Sequence, residues 1–101
     1  MHEHRKAQRF PLEQPVRLIL TRTGHYELEA LSKDLSIKGV FVYVESEISE
    51  GSEVQLRLSL PAESGSIPAF IRGRVIRVEK PRVGDTSGAG IAFERVEILP
   101  E

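Results

Sequence analysis

Two stretches of this 101-residue chain, Arg5-Lys6-Ala7-Gln8-Arg9 and Asp34-Leu35-Ser36-Ile37-Lys38-Gly39, have residue types and spacing that point to chemistry. The first places two planar cations four residues apart. A guanidinium is a rigid fork of donors that fits phosphate oxygens and the O6/N7 edge of guanine, and it stacks on flat bases better than an ammonium does. The second offers a carboxylate, a hydroxyl and a glycine at i, i+2 and i+5. An ionised carboxylate accepts two hydrogen bonds, which suits the N1–H and N2–H groups of guanine. Asp34 and Ser36 share a side if the segment is extended. Gly39 either supplies a positive φ or lets a ligand approach the backbone. Lys6 and Lys38 add positive potential without fixed geometry. The set as a whole matches a ligand carrying both phosphates and guanine edges.

Taken singly, each stretch has a plainer explanation. Arg-x-x-x-Arg on a terminal segment is usually a solvated tail. Asp34-Leu35-Ser36 could be an Asx or Ser/Thr turn between strands, with Gly39 there for its left-handed preference. Other combinations carry less. His2-Glu3-His4 lacks a third ligand, so no metal site is expected. His25, Ser36 and Asp34 form a nucleophile set on paper, but no Gly-x-Ser-x-Gly elbow fixes them, so no enzyme is expected. The aromatic residues Phe41, Tyr43, Phe70 and Phe93 fall on strand patterns and are expected in the core.

The elements that must position these groups are short strands. Val16 to Thr21 is apolar and β-branched, and Thr23-Gly24-His25 is a plausible turn. Tyr26, Leu28 and Ala30 then alternate with glutamates. Gly39 to Glu45 is β-prone with both faces apolar, the mark of a central strand. Val54, Leu56, Leu58 and Leu60 alternate with polar residues across Glu53 to Leu60. Phe70 to Val78 switches its apolar face near Val75, which predicts a bulge there. Ala89, Ile91 and Phe93 mark a last strand. Pro61 to Pro68 and Pro81 to Gly88 read as loops. Six short strands in about a hundred residues predict a small antiparallel barrel or sandwich. Residues 1–15, with Pro11 and Pro15, read as an extended arm, and residues 16–101 as the barrel domain. Leu99-Pro100-Glu101 would open a helix.

Bulk properties narrow the function. The composition is that of one soluble globular domain, with 40% hydrophobic and 29% charged residues. No apolar run reaches membrane-spanning length, and the charged N-terminus has no signal-like core, so no membrane partner is expected. Without cysteine, disulfides and thiol catalysis are excluded, and a cytoplasmic setting is the simplest expectation. The net charge of −1 hides a basic first segment: residues 1–22 carry +3 and the remainder −4. An acidic body is a poor partner for long nucleic acid, whereas a local basic arm suits a small dianion.

These motifs resemble the PilZ domain, a bacterial receptor family for cyclic di-GMP. The resemblance runs through Arg5-Lys6-Ala7-Gln8-Arg9-Phe10-Pro11, Asp34-x-Ser36-x-x-Gly39 and Gly39-Val40-Phe41-Val42. It continues in Arg72-Gly73-Arg74-Val75 and Gly88-Ala89-Gly90-Ile91-Ala92-Phe93. It implies an all-β, six-stranded antiparallel barrel, often followed by a C-terminal helix, with no activity beyond binding and no cofactor other than the ligand. Carried over by residue, Arg5 and Arg9 would grip phosphate and guanine, and Asp34, Ser36 and Gly39 would line the surface beneath the other guanine. His4, Lys6, Lys38, Arg72 and Arg74 would be secondary contacts. His4 stands where family members differ in binding one ligand or an intercalated pair. The implied function is a cyclic di-GMP receptor whose arm orders on binding and signals to a protein effector. The alternatives are a PilZ-like protein–protein adaptor that binds nucleotide weakly or not at all, and a small-barrel binder of single-stranded nucleic acid.

Overall fold

The computed structural model describes residues 10–11, 13–20, 26–63, 65–80 and 86–98. His4, Arg5, Lys6 and Arg9, the turn at Thr23-Gly24-His25 and the helix expected from Pro100 lie outside these residues.

Val16, Leu18, Val54, Leu56, Ile71, Val75, Ala89 and Ile91 are all at most 2% exposed and form one core. They lie on β-branched, period-two segments, and such segments bury one face by becoming strands. The strands are β1 (Phe10–Pro11), β2 (Pro15–Leu20), β3 (Tyr26–Leu35), β4 (Gly39–Val44), β5 (Glu53–Ala62), β6 (Gly65–Glu79) and β7 (Ser87–Ile98). All pairings are antiparallel, in the order β1-β3-β2-β5-β6-β7-β4, and a further β3–β4 pairing closes the six longer strands into a barrel. The architecture is the expected one. No helix occurs among the described residues, and none is long and apolar enough to cross a membrane.

Three local features differ from expectation or sharpen it. The register of β6 on β7 slips between Val75 and Arg77, at the predicted bulge, and leaves Ile76 outside the ladder and 61% exposed. Most of the segment from Pro61 to Pro68, expected as a loop, is instead hairpin: β5 runs to Ala62, β6 starts at Gly65, and Pro61 faces Ser66. Gly65 at the turn has φ of 124°. This hairpin and the end of β7 project past the barrel, where proline disrupts no enclosed ladder.

Gln14 closes the gap where β2 stops short of that hairpin. Pro15 has no N–H to give, and the Gln14 side chain takes over as a surrogate strand. Its Nε2 donates to the Ser59 carbonyl at 2.8 Å, and its Oε1 accepts from the Ser59 N–H at 3.1 Å. On its other side the Gln14 N–H donates to Ser32 Oγ at 3.1 Å.

Candidate functional site

β3 and β4 meet at the turn Ser36-Ile37-Lys38, so the Asp-x-Ser-x-x-Gly stretch is the junction between two neighbouring barrel strands. Asp34 is the penultimate residue of β3 and is half-buried. Ser36 lies in the turn and is 7% exposed. Its Oγ accepts from the Lys38 N–H at 3.1 Å, and its own N–H donates to the Gly39 carbonyl at 2.9 Å. Ser36 is therefore a turn-locking hydroxyl as well as a candidate ligand contact.

Gly39 is needed for a reason other than a positive φ, which among the described residues occurs only at Gly51 and Gly65. A Cβ at Gly39 would run into the carbonyl oxygen of Ile91 on β7. The main chains of β4 and β7 approach too closely there for any side chain. The same closeness lets the Phe93 N–H reach back to the Lys38 carbonyl at 2.8 Å.

Ladder registers carry the motif across the outer face. Asp34 stands opposite Phe41, Phe41 opposite Gly90, and Gly90 opposite Arg77. At the common strand spacing this row spans roughly 14 Å. The next row joins Gly39, Ala92 and Arg74. Thus the junction and the arginine-bearing strand β6 share one outer surface, although Arg74 lies 35 positions after Gly39 in sequence.

Phe41 is the centrepiece of that surface and departs from the expectation of a core residue. Val40, Val42 and Val44 point inward, whereas Phe41 lies on the outer face yet is only 4% exposed. Its ring lies over bare backbone, where a Cβ on Gly88 would come within 2.5 Å of ring Cζ. Arg77 covers the ring with its guanidinium carbon 5.4 Å from the centroid, Lys33 Nζ lies at 5.6 Å, and Tyr43 meets it edge-on at 5.6 Å. Tyr43 and Phe70 are likewise outward-facing; of the four aromatics expected in the core, only Phe93 packs against it. From sequence Phe41 reads only as a core aromatic, and Arg77 carries no signal of its own. The two glycines of Gly88-Ala89-Gly90 inside a strand were the available signal, because a strand lacking side chains on one face invites a ring to cover it.

The two secondary arginines on β6 differ. Arg72 is exposed, opposite Gln55 and Arg95. Arg74 is fully engaged: Nε donates to Glu94 at 3.1 Å, Nη2 to Glu53 at 2.9 Å, and Nη1 to the Gly51 carbonyl at 2.9 Å. Glu94 first, and Glu53 second, push its pKa up from an already high value. Arg74 thus staples the β4–β5 connection to β6 and β7. Lys38 is exposed at the turn itself.

A cavity of about 770 Å³ lies at the projecting end of the barrel, beside the β3–β4 turn and without Asp34 in its lining. Leu35, Leu60, Ile71, Phe93 and Val96 line it, with Ser36 and Glu63 supplying polar groups. An apolar wall of this kind suits no dianion, so the phosphate-binding candidate is the open outer face. Among the described residues no group of three His, Asp or Glu side chains could hold a metal ion.

Comparison with known proteins fits this geometry. The family model for the PilZ domain matches residues 3–99. The solved structure of Bacillus subtilis Inhibitor of motility (MotI/DgrA) superposes with a TM-score of 0.78 at 16% sequence identity. The superposition covers 95% of this chain and 45% of that one, so the chain spans less than half the length of that structure. No curated protein sequence is a significant match.

Proposed function

The chain belongs to the PilZ domain family, and on that premise we propose that it is a receptor for cyclic di-GMP. It binds the second messenger between its arm and the outer face, and passes the signal to a protein effector without catalysing a reaction. One observation supports this most: Phe10 stands opposite Leu35 and Pro11 opposite Asp34 in the β1–β3 ladder. That pairing ties the chain beside the Asp-x-Ser-x-x-Gly junction directly after Arg9. Covalent geometry holds the Cα of Arg9 about 3.8 Å from that of Phe10, and that of Arg5 within roughly 18 Å. Both arginines therefore have a route to the junction.

In this reading Arg5 and Arg9 fork onto phosphate and guanine edges, and Asp34 accepts from N1–H and N2–H of a guanine. Ser36 and Gly39 hold the turn flat beneath the ligand, and Lys38 adds positive potential at its rim. Arg77, mounted on Phe41 at the far end of the row, supplies a further cation. Arg72 lies further along β6 and contributes at most at long range. Arg74, held by two carboxylates, contributes by fixing β6 and β7. His4 and Lys6 act from the arm. Ordering the arm costs about 1–2 kcal/mol per residue, so several charge-assisted contacts of roughly 1.5–3 kcal/mol each must form together. Binding and ordering are then one event, and the ordered arm is the altered surface an effector reads.

Calorimetric titration with cyclic di-GMP, beside GTP, cyclic di-AMP and an oligonucleotide, tests the proposal. Salt-sensitive binding of cyclic di-GMP alone is expected. No heat with cyclic di-GMP, or equal affinity for the oligonucleotide, rejects it.

A further inference from the structure

The far end of β7 is a strand with one side unoccupied. Its pairing with β4 stops at Ala92, opposite Gly39, while its pairing with β6 continues to Ile98, opposite Ala69. Among the described residues nothing pairs with the second side of Glu94 to Ile98. An exposed strand edge of this length is a template for another strand. Val96 and Ile98 are 45% and 54% exposed, and Val96 lines the cavity at the barrel end.

We propose that this edge pairs with the same edge of a second copy, giving a two-fold antiparallel homodimer centred on Val96. The central stretch Arg95-Val96-Glu97 is self-complementary in that register. A two-fold axis normal to a sheet places one residue opposite its own copy. Centring on Arg95 or Glu97 would set like charges against each other. Centring on Val96 sets Val96 on Val96 and places Arg95 opposite Glu97 twice. Cross-strand partners lie on the same face, so both pairs are in reach of ion pairing.

The monomer leaves these charges poorly matched. Arg95 stands opposite Arg72 across the β6–β7 ladder, a like-charge pair, and its own carboxylate contact is Glu97 on the same strand at 3.4 Å. A Glu97 from the second copy would bring a carboxylate to each arginine pair. The apolar residues gain as well, because Val96 and Ile98 of both copies would form one continuous strip between the two cavity mouths. The interface is one strand pair wide, so the dimer is weak and concentration-dependent. This inference does not depend on cyclic di-GMP binding.

Sedimentation velocity of the full chain from about 1 μM to about 1 mM, without ligand, reads the equilibrium. The wild type is expected to move from monomer to dimer. Arg95→Glu and Glu97→Arg each place like charges opposite one another, and each raises the dissociation constant by roughly tenfold or more. An equimolar mixture of the two variants restores every pair and returns dimerisation to wild-type strength, as does the Arg95→Glu/Glu97→Arg double variant. Both positions are exposed, and unchanged circular dichroism of each variant confirms the fold. A wild type that stays monomeric throughout, single variants that dimerise like wild type, or a mixture that stays monomeric would each overturn the proposal.

Discussion

Arg77 stacks on Phe41 with its guanidinium carbon 5.4 Å from the ring centroid, and Glu79 holds its Nε at 3.4 Å. The contact puts a cation at one end of the row that begins at Asp34. The side chain keeps more than half of its surface exposed, so its remaining donors face solvent. Arg74 in the neighbouring row has its donors occupied on three sides. Arg77→Ala should weaken cyclic di-GMP binding by about tenfold, the value of one charge-assisted contact. Arg74→Ala should change affinity little and lower stability only slightly, because its ion pairs are exposed and screened by solvent. Calorimetry and urea unfolding of both variants check the pair of outcomes.

Gly39→Ala is expected to destabilise the fold by about 1–3 kcal/mol, because the new methyl meets the Ile91 main chain, which cannot rotate away. Gly51 offers the contrast. It has φ of 89° and nothing within 4 Å of a Cβ, so Gly51→Ala carries only backbone strain, about 1–2 kcal/mol. Equal urea midpoints for Gly39→Ala and wild type would contradict the close approach of β4 and β7.

Phe41 and Gly88 should behave as one unit. Gly88→Ala alone intrudes on the ring and Phe41→Ala alone uncovers backbone, the latter costing about 3 kcal/mol. In the Phe41→Ala background the ring that a methyl at 88 would strike is gone, so the two costs should not add. A double-mutant cycle with coupling near zero would contradict the packing.

Gln14→Glu keeps shape and removes a donor. The carboxylate would then face the Ser59 carbonyl in place of the amide that now donates to it at 2.8 Å. A loss of about 1–3 kcal/mol is expected, with faster hydrogen exchange at Ser59.

Much of this architecture is legible in the chain. Val54, Leu56 and Leu58 alternate and are 2%, 0% and 6% exposed, so β5 follows directly from period two. The face switch near Val75 marks the bulge because one extra residue reverses every later side chain. Phe41 is harder to read, since alternation reports the two faces of a strand but not which face is covered from outside. Only the bare backbone of a neighbour distant in sequence makes the outer face a dry one. The Pro61–Pro68 stretch misleads in the opposite way, because its composition is that of a loop while an edge hairpin absorbs the prolines. At the site, residue types point to Asp34, Ser36 and Gly39, but the use of Gly39 as a contact point for Ile91 depends on β7, 52 residues onward.

The central claim is that cyclic di-GMP sits on the outer face at the β3–β4 junction, clasped by the arm. Amide chemical-shift mapping of the isotope-labelled protein during titration tests it most directly. The account predicts that shifts concentrate at Asp34 to Gly39, at Gly90 to Ala92 and at the arm from Arg5 to Pro11, while Leu60 and Val96 at the cavity stay in place. Shifts confined to Leu60, Ile71, Phe93 and Val96 on the far side of the cavity, with Asp34 to Gly39 unmoved at saturation, would contradict it.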